Sequence, residues 1–567
     1  MRVRAGPGRQ ELELWVGPEA SYVRAGDLVT DELELTGFGS RAGDLRRLAS
    51  LGAHRTRFPL LWERTWPEGS PSPDWHWADN ALQEAQALGL NPVVGLVHHG
   101  GGAVPGGLLD PGFAEGLAAY ALAVARRYPW VDAYTPVNEP LTTARFSALY
   151  GFWHPHAQGD ASFVRALLNE LRGTVLSMQA IREVNPGAAL VQTEDMGRVY
   201  GTPAVQEQVD FENLRRWLSF DLLCGHVDEG HGLWGYLLWA GATPEELLWF
   251  AEHPCPPQVI GLNVYPTSER FLDDRLERYP AHLHGGNGRQ VYADLEAVRV
   301  RGELPGSFYE RLTEAHARYG LPLAVTEVHL GCTREEQLRW LNSAWQDALR
   351  ARQDGVDVLA VTAWAAFGNC DWDSLLTRQR GRTEPGLWDT RYSPPRETAL
   401  AGLARDLASG RTPEHPALQG PGWWQRAERA EYLPDTPLIS QPLGGPVIRI
   451  GPGPHQGELL DLCRERGLSA AAQGPMVDDE VWAVLEAPDR GTLHCSWHGR
   501  ERLTVRAPVL GRLQLQAALD LVLDGETGLW LWDGQLFAPA PVALVAAGPA
   551  TVGRPSGVRL SPSERLR

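Results

Sequence analysis

A rhythm constrains this fold more than any single residue. From the first dozen residues to about residue 410, short apolar runs alternate with longer segments of helical period. Eight runs read as strands: LELWVG from Leu12, AHRTRFPL from Ala53, NPVVGLVHH from Asn91, AYTPVNEP from Ala133, ALVQTED from Ala189, VIGLNVYP from Val259, PLAVTEVHL from Pro322 and VLAVTAWAA from Val358. Between them, segments such as FAEGLAAYALAVARRYPW and EEQLRWLNSAWQDALRARQDG repeat apolar residues at spacings of three and four before a breaker. Such alternation predicts parallel strands joined by crossover helices, and eight units predict a closed (β/α)8 TIM barrel. Barrels of this kind assemble their sites at the C-terminal ends of the strands. Polar and aromatic residues of this chain crowd there: Arg57, His98, Asn138 with Glu139, Glu194, Asn263 with Tyr265, Glu327 and Trp364.

Composition then removes whole chemistries. The 52 basic residues of the 567-residue chain are all Arg. Without an amine, a phosphate-binding loop ending in GK[ST], a pyridoxal Schiff base, a Lys-dependent aldolase and a Tyr-x-x-x-Lys reductase are excluded. The 70 acidic residues leave a net charge of −18, which repels phosphate backbones and anionic lipid. Neither nucleic acid nor a membrane surface is therefore expected as a partner. No apolar run is long enough to span a bilayer, and the start MRVRAGPGRQELEL has no apolar signal region. Cys224, Cys255, Cys332, Cys370, Cys463 and Cys495 show no CxxC spacing, which fits a reducing cytoplasm. His154 and His156 in WHPH enclose a proline and have no third ligand nearby, so a loop is expected there rather than a metal site. No cofactor and no metal is expected.

Residues 411–445 are rich in Pro and Gly and read as a linker between a barrel over 1–410 and a smaller α/β domain over 446–567. The latter opens with PVIRIGPGPHQGELLDLCRERG, a strand, a Gly-rich turn and a helix, as in a dinucleotide-binding βαβ unit. LQLQAALDLVLDGETGLWLW reads as a helix, a turn and a strand. The expected class is a degenerate Rossmann-like fold.

The segment TPVNEP, Thr135 to Pro140, resembles the acid/base motif of family 1 glycoside hydrolases. TRFPLLWERTWP, GLVHH, IGLNVYPTS, AVTEVHL and AWAAFGNCDW resemble further segments of that family in the same order, over about residues 11–405. The resemblance implies Glu139 as acid/base and Glu327 as nucleophile. It also implies Arg57, His98, Asn138, Asn263, Tyr265, Trp364, Asp371 and Trp372 as substrate-binding or supporting residues. The implied activity is a retaining β-glycosidase, hydrolase or transglycosidase, acting on a saccharide. A binding protein that holds a saccharide or sugar nucleotide without turnover is the alternative. Physical reasoning on the same residues agrees: a retaining route needs two carboxyl groups about 5 to 5.5 Å apart, one protonated and one ionised. Arg57 and the Tyr265 hydroxyl would keep Glu327 anionic, while apolar surroundings would keep Glu139 protonated. Glu194 receives no role from the resemblance.

Four departures bear on the sugar. Val23 stands where the family has a sugar-contacting Gln, His99 where it has Trp, Asp371 where it has Glu, and Val328-His329 where it has Asn-Gly. The glycone pocket is therefore expected to be altered. In the C-terminal part, IGPGPHQGELLDLCRERGLS resembles the nucleotide-binding start of dTDP-4-dehydrorhamnose reductases. Gly451 and Gly457 match, but Pro454 replaces the middle glycine and removes an N–H from the turn. The absence of Lys excludes that reductase mechanism, so a shortened, non-catalytic domain is expected.

Overall fold

The computed structural model describes residues 11–300, 308–426, 447–472, 481–497 and 500–531. Eight parallel strands close a barrel: Glu13–Val16, Arg55–Pro59, Asn91–His98, Ala133–Asn138, Ala189–Asp195, Val259–Asn263, Leu323–Val328 and Val358–Ala363. Each pairs with its neighbours in sequence, and the first pairs with both the second and the eighth. All eight predicted runs supply one strand each. Helices cover the outside. In Phe113–Arg127, the apolar stripe Phe113, Leu117, Tyr120, Ala121 and Val124 is buried, and this helix packs on Asp160–Val184. Inside the barrel, Trp15, Val93, Ala133, Val191, Val259, Ala324 and Ala360, from seven of the strands, form an apolar plug. The plug leaves only the strand ends open to polar chemistry.

Two elements were not legible in the strand rhythm. A hairpin, Tyr22–Ala25 with Leu28–Asp31, follows the first strand. A four-stranded sheet of Val199–Gly201, Arg270–Asp273, His284–Gly286 and Val291–Glu296 grows out of the loops after the fifth and sixth strands. Among the described residues, no helix is long and apolar enough to cross a membrane.

The C-terminal region carries a mixed six-stranded sheet in the order Ser469–Ala472, Val447–Ile450, Ala483–Glu486, Thr492–Trp497, Arg500–Arg506 and Gly528–Leu531. The first three strands are parallel, with helix Gln456–Glu465 as the crossover; helix Arg512–Leu523 leads into the last. The predicted strand, turn and helix at its start are present, but antiparallel strands replace the second half of a Rossmann sheet. The expected linker differs in part from a free segment. Trp424 is buried against Trp340 at 4.8 Å between centroids, and the Trp423 N–H donates to Glu336. Residues 427–446 and the tail 532–567 of the predicted domain lie outside the described residues.

Buried charges join this region to the barrel helix Arg334–Gln353. Arg466 forks onto Glu335 at 2.9 and 2.5 Å, and Asp524 takes Arg334 at 2.7 Å and Arg396 at 2.8 Å. Burial pushes the Glu335 carboxyl up, but the charge and hydrogen bonds of Arg466 outweigh it and hold the group at about 2. Removing one member of such a pair leaves an uncompensated buried charge. Arg466→Ala should therefore lower stability by about 3–5 kcal/mol in chemical denaturation. A carboxyl depressed in the folded state adds stability above its unfolded value and loses it as pH falls. Stability should accordingly drop between about pH 4.5 and 2, and less steeply in Glu335→Gln.

Candidate active site

The fourth strand ends at Asn138, and Glu139 breaks it with a left-handed backbone, φ 47° and ψ 61°. Pro140 disfavours a right-handed conformation in the residue before it and suits the first position of helix Pro140–Ala144. A non-glycine residue held there costs about 1–3 kcal/mol and persists only where its surroundings over-determine it. Glu194 supplies that support. Its carboxylate accepts the free N–H groups of Leu141 at 2.9 Å and Thr142 at 3.3 Å, and the Ser219 hydroxyl at 2.7 Å. Burial pushes Glu194 up to about 7 against those hydrogen bonds. The glutamate left without a role in the sequence is thus a capping residue for the helix that carries Glu139.

Arg57, from the second strand, links the two sides of the mouth. Nη1 donates to Glu327 Oε1 at 2.5 Å and to the Thr326 carbonyl at 3.1 Å, while Nη2 donates to Asn138 Oδ1 at 2.5 Å. The Tyr265 hydroxyl donates to Glu327 Oε2 at 2.5 Å. Asn138 Oδ1 also accepts from Thr193, which leaves Nδ2 to donate to His98 Nε2 at 3.2 Å. Asn263 accepts from Thr326 at 2.7 Å and donates to Glu139 Oε1 at 2.5 Å. Thr193 and Thr326 meet across Gly261 of the strand between them. A Cβ there would lie 2.7 Å from one and 2.9 Å from the other. Hydrogen bonds through Arg57, Thr326 and Asn263 therefore join Glu139 and Glu327 in a single network.

That network treats them unequally. Burial raises both carboxyls. For Glu327 the Arg57 charge and the Tyr265 hydrogen bond pull back. Glu139 is pushed well above the ordinary range by burial and by the charges of Glu327, Asp195 and Glu194, with only the Asn263 hydrogen bond opposing. Of the pair, Glu139 has the higher proton affinity. His99 Nδ1 bonds Thr143, while Nε2 lies 3.7 Å from Glu139 Oε2. Burial and nearby Arg57 hold the His99 ring at about 3, so it lies beside Glu139 uncharged. Burial, with His99 and Arg57 beside it, likewise pushes His98 well below its usual range.

The walls follow the sequence reading in part. Trp364 is flanked by the Arg57 guanidinium, 4.5 Å from the ring centroid, and by the His98 ring, stacked at 5.8 Å. Asp371 behaves otherwise. Both of its oxygens take backbone N–H groups, from Arg380, Gly381 and Arg382, so it ties a loop rather than presenting a free carboxylate. Trp372 joins Val23, Trp153 and Leu376 in an apolar cluster. His156 spends both ring nitrogens on the backbone of Gly26 and Gly151, in line with a loop role. Glu19, three residues past the first strand, was missed. It is 4% exposed and accepts from Trp364 Nε1 at 3.1 Å. The strand-end rule that singled out its neighbours could have found it.

No protein-family model matches the chain. It is 24% identical over 379 residues to "Thermostable beta-glucosidase B" of Thermobispora bispora, covering 58% of this chain and 72% of the relative. It is 22% identical over 367 residues to "Beta-glucosidase A" of Thermotoga maritima, covering 60% and 79%. The solved family 1 β-glucosidase from Thermotoga maritima superposes with a TM-score of 0.56 at 17% identity, over 71% of this chain and 99% of that one. A complex of that enzyme with a methoxycarbonyl-substituted glucoimidazole gives 0.58 at 16%, over 72% and 99%. The chain is thus homologous to β-glucosidases and shares their TIM-barrel fold.

Glu194→Ala should leave the helix donors of Leu141 and Thr142 unsatisfied and cost about 1–3 kcal/mol in chemical denaturation. Glu194→Gln keeps an acceptor and should cost less.

Proposed function

We propose that the protein is a retaining β-glycosidase in which Glu327 attacks the anomeric carbon and Glu139 protonates the leaving group. The observation that carries this reading is the Arg57 bridge. One guanidinium holds Glu327 and the residue next to Glu139, with the stronger anion-stabilising contacts on Glu327. Attack by Glu327 forms a glycosyl ester as the glycosidic C–O bond breaks, and the proton of Glu139 leaves with the aglycone oxygen. Glu139, now ionised, then takes a proton from water, whose oxygen attacks the anomeric carbon and releases Glu327. Asn138, fixed by Arg57, Thr193 and His98, is oriented as a polar partner for the sugar beside the acid. The homology to β-glucosidases supports a saccharide substrate.

We read the C-terminal region as a shortened reductase-like fold without a nucleotide role. A Cβ on Gly451 would lie 2.8 Å from the side chain of Glu486, so a carboxylate stands beside the turn that would have to receive pyrophosphate. Pro454 in that turn offers no N–H.

Glu139→Ala and Glu327→Ala should lower turnover of aryl β-glycosides by about 10²–10⁴-fold or more. A 2-deoxy-2-fluoro glycoside should label the peptide containing Glu327. Activity that survives in both variants refutes these roles, and an unlabelled Glu327 peptide refutes the covalent route. The pH profile of kcat/KM should rise as Glu327 ionises and fall as Glu139 does, with both limbs above the ordinary carboxylate range because burial raises both groups. Tyr265→Phe removes a hydrogen bond to the Glu327 anion and should move the acid limb to higher pH while leaving the alkaline limb in place.

A further inference from the structure

Glu19 is placed where the first strand delivers the chain to the barrel mouth, and its carboxylate is as buried as the pair assigned to chemistry. Glu19 is 4% exposed, against 5% for Glu139 and 5% for Glu327. Oε1 accepts the N–H groups of Ala20 and Ser21 at 3.0 and 3.1 Å and the Ser21 hydroxyl at 2.7 Å. Oε2 takes a single donor, Trp364 Nε1 at 3.1 Å, and His98 Nε2 lies 3.8 Å from Oε1. A carboxylate offers about four acceptor positions, so Oε2 keeps one in hand. The group therefore shares a wall with the indole and imidazole that flank Arg57.

The polar groups around Glu19 are committed elsewhere or uncharged. The Arg57 guanidinium is committed to Glu327, Thr326 and Asn138. Burial holds His98 and His99 in their neutral forms. Asp371 is enclosed by three backbone N–H groups. Donors on Glu19 come from backbone, a hydroxyl and an indole, all uncharged.

We infer that Glu19 is a specificity-determining residue that accepts hydroxyl groups of an uncharged glycone and bars glycones bearing a carboxylate or phosphate. The inference rests on the glycosidase reading for the identity of the ligand as a sugar, and on the geometry around Glu19 for its charge. Like charges repel more strongly in a water-poor pocket than in water, and such repulsion can set a preference of about tenfold or more.

Glu19→Gln separates charge from position, because the amide carbonyl still accepts from Trp364 Nε1. Calorimetric binding of glucose, glucuronate and glucose 6-phosphate is compared in the wild type, Glu19→Gln and Glu19→Asp, with turnover of p-nitrophenyl β-glucoside measured in parallel. The wild type should prefer glucose, and Glu19→Gln should narrow the glucose-to-anion affinity ratio about tenfold or more. Glu19→Asp, which keeps the charge, should bind more weakly yet hold the ratio. An unchanged ratio in Glu19→Gln overturns the inference, as does equal loss of discrimination in both variants, which would mark Glu19 as a support for Trp364 alone. A wild type that binds glucose selectively but turns over no glycoside overturns the hydrolase reading and leaves the role of Glu19 standing.

Discussion

A water-poor barrel mouth holds a carboxylate anion only where a cation or hydrogen-bond donors stabilise it, and at Glu327 one guanidinium does most of that. An isolated ion transferred from water costs several kcal/mol even after relaxation. Arg57 meets this cost for Glu327 with a charge that cannot be lost by deprotonation, and extends its second nitrogen to Asn138. Glu139 is buried beside other carboxylates with an amide donor in place of a cation, so it binds a proton more readily. The difference in proton affinity between two chemically identical side chains follows from which of them the arginine reaches.

Strand ends convert this electrostatic pattern into fixed geometry. Glu139 and His99 both leave their strands through left-handed backbone conformations, which turn successive side chains into the mouth instead of letting them alternate. Gly261 in the sixth strand lets two threonines approach and pin Asn138 and Asn263. Trp364 stands close over Gly17, where a Cβ would lie 2.6 Å from the indole. The absence of two Cβ atoms and the presence of one capping carboxylate, Glu194, set how tightly the network can close.

The C-terminal sheet is bound into the same body by charges rather than by an apolar seam alone. Glu335, Arg466, Arg334, Asp524 and Arg396 are buried together at the end of helix Arg512–Leu523. The desolvation of pairs of this kind offsets much of their attraction. They join the region to the first turn of helix Arg334–Gln353.

Much of this was legible in the order of residues. Hydrophobic period and turn chemistry determined eight strands and their crossover helices, because both depend on local spacing. The strand-end rule brought Arg57, His98, Asn138, Glu139, Asn263, Tyr265, Glu327 and Trp364 to one mouth. Spacing could not reveal that Asp371 spends its oxygens on the backbone of residues 380–382, that Glu194 caps a helix from a different strand, or that Glu19 reaches Trp364 some 345 positions away. Hydrogen-bond partners, burial and the resulting proton affinities depend on distances across the barrel that no local pattern encodes. The chain by itself determined which groups arrive at the mouth; only the closed tertiary structure decided which of them hold a proton, which hold a charge and which hold each other.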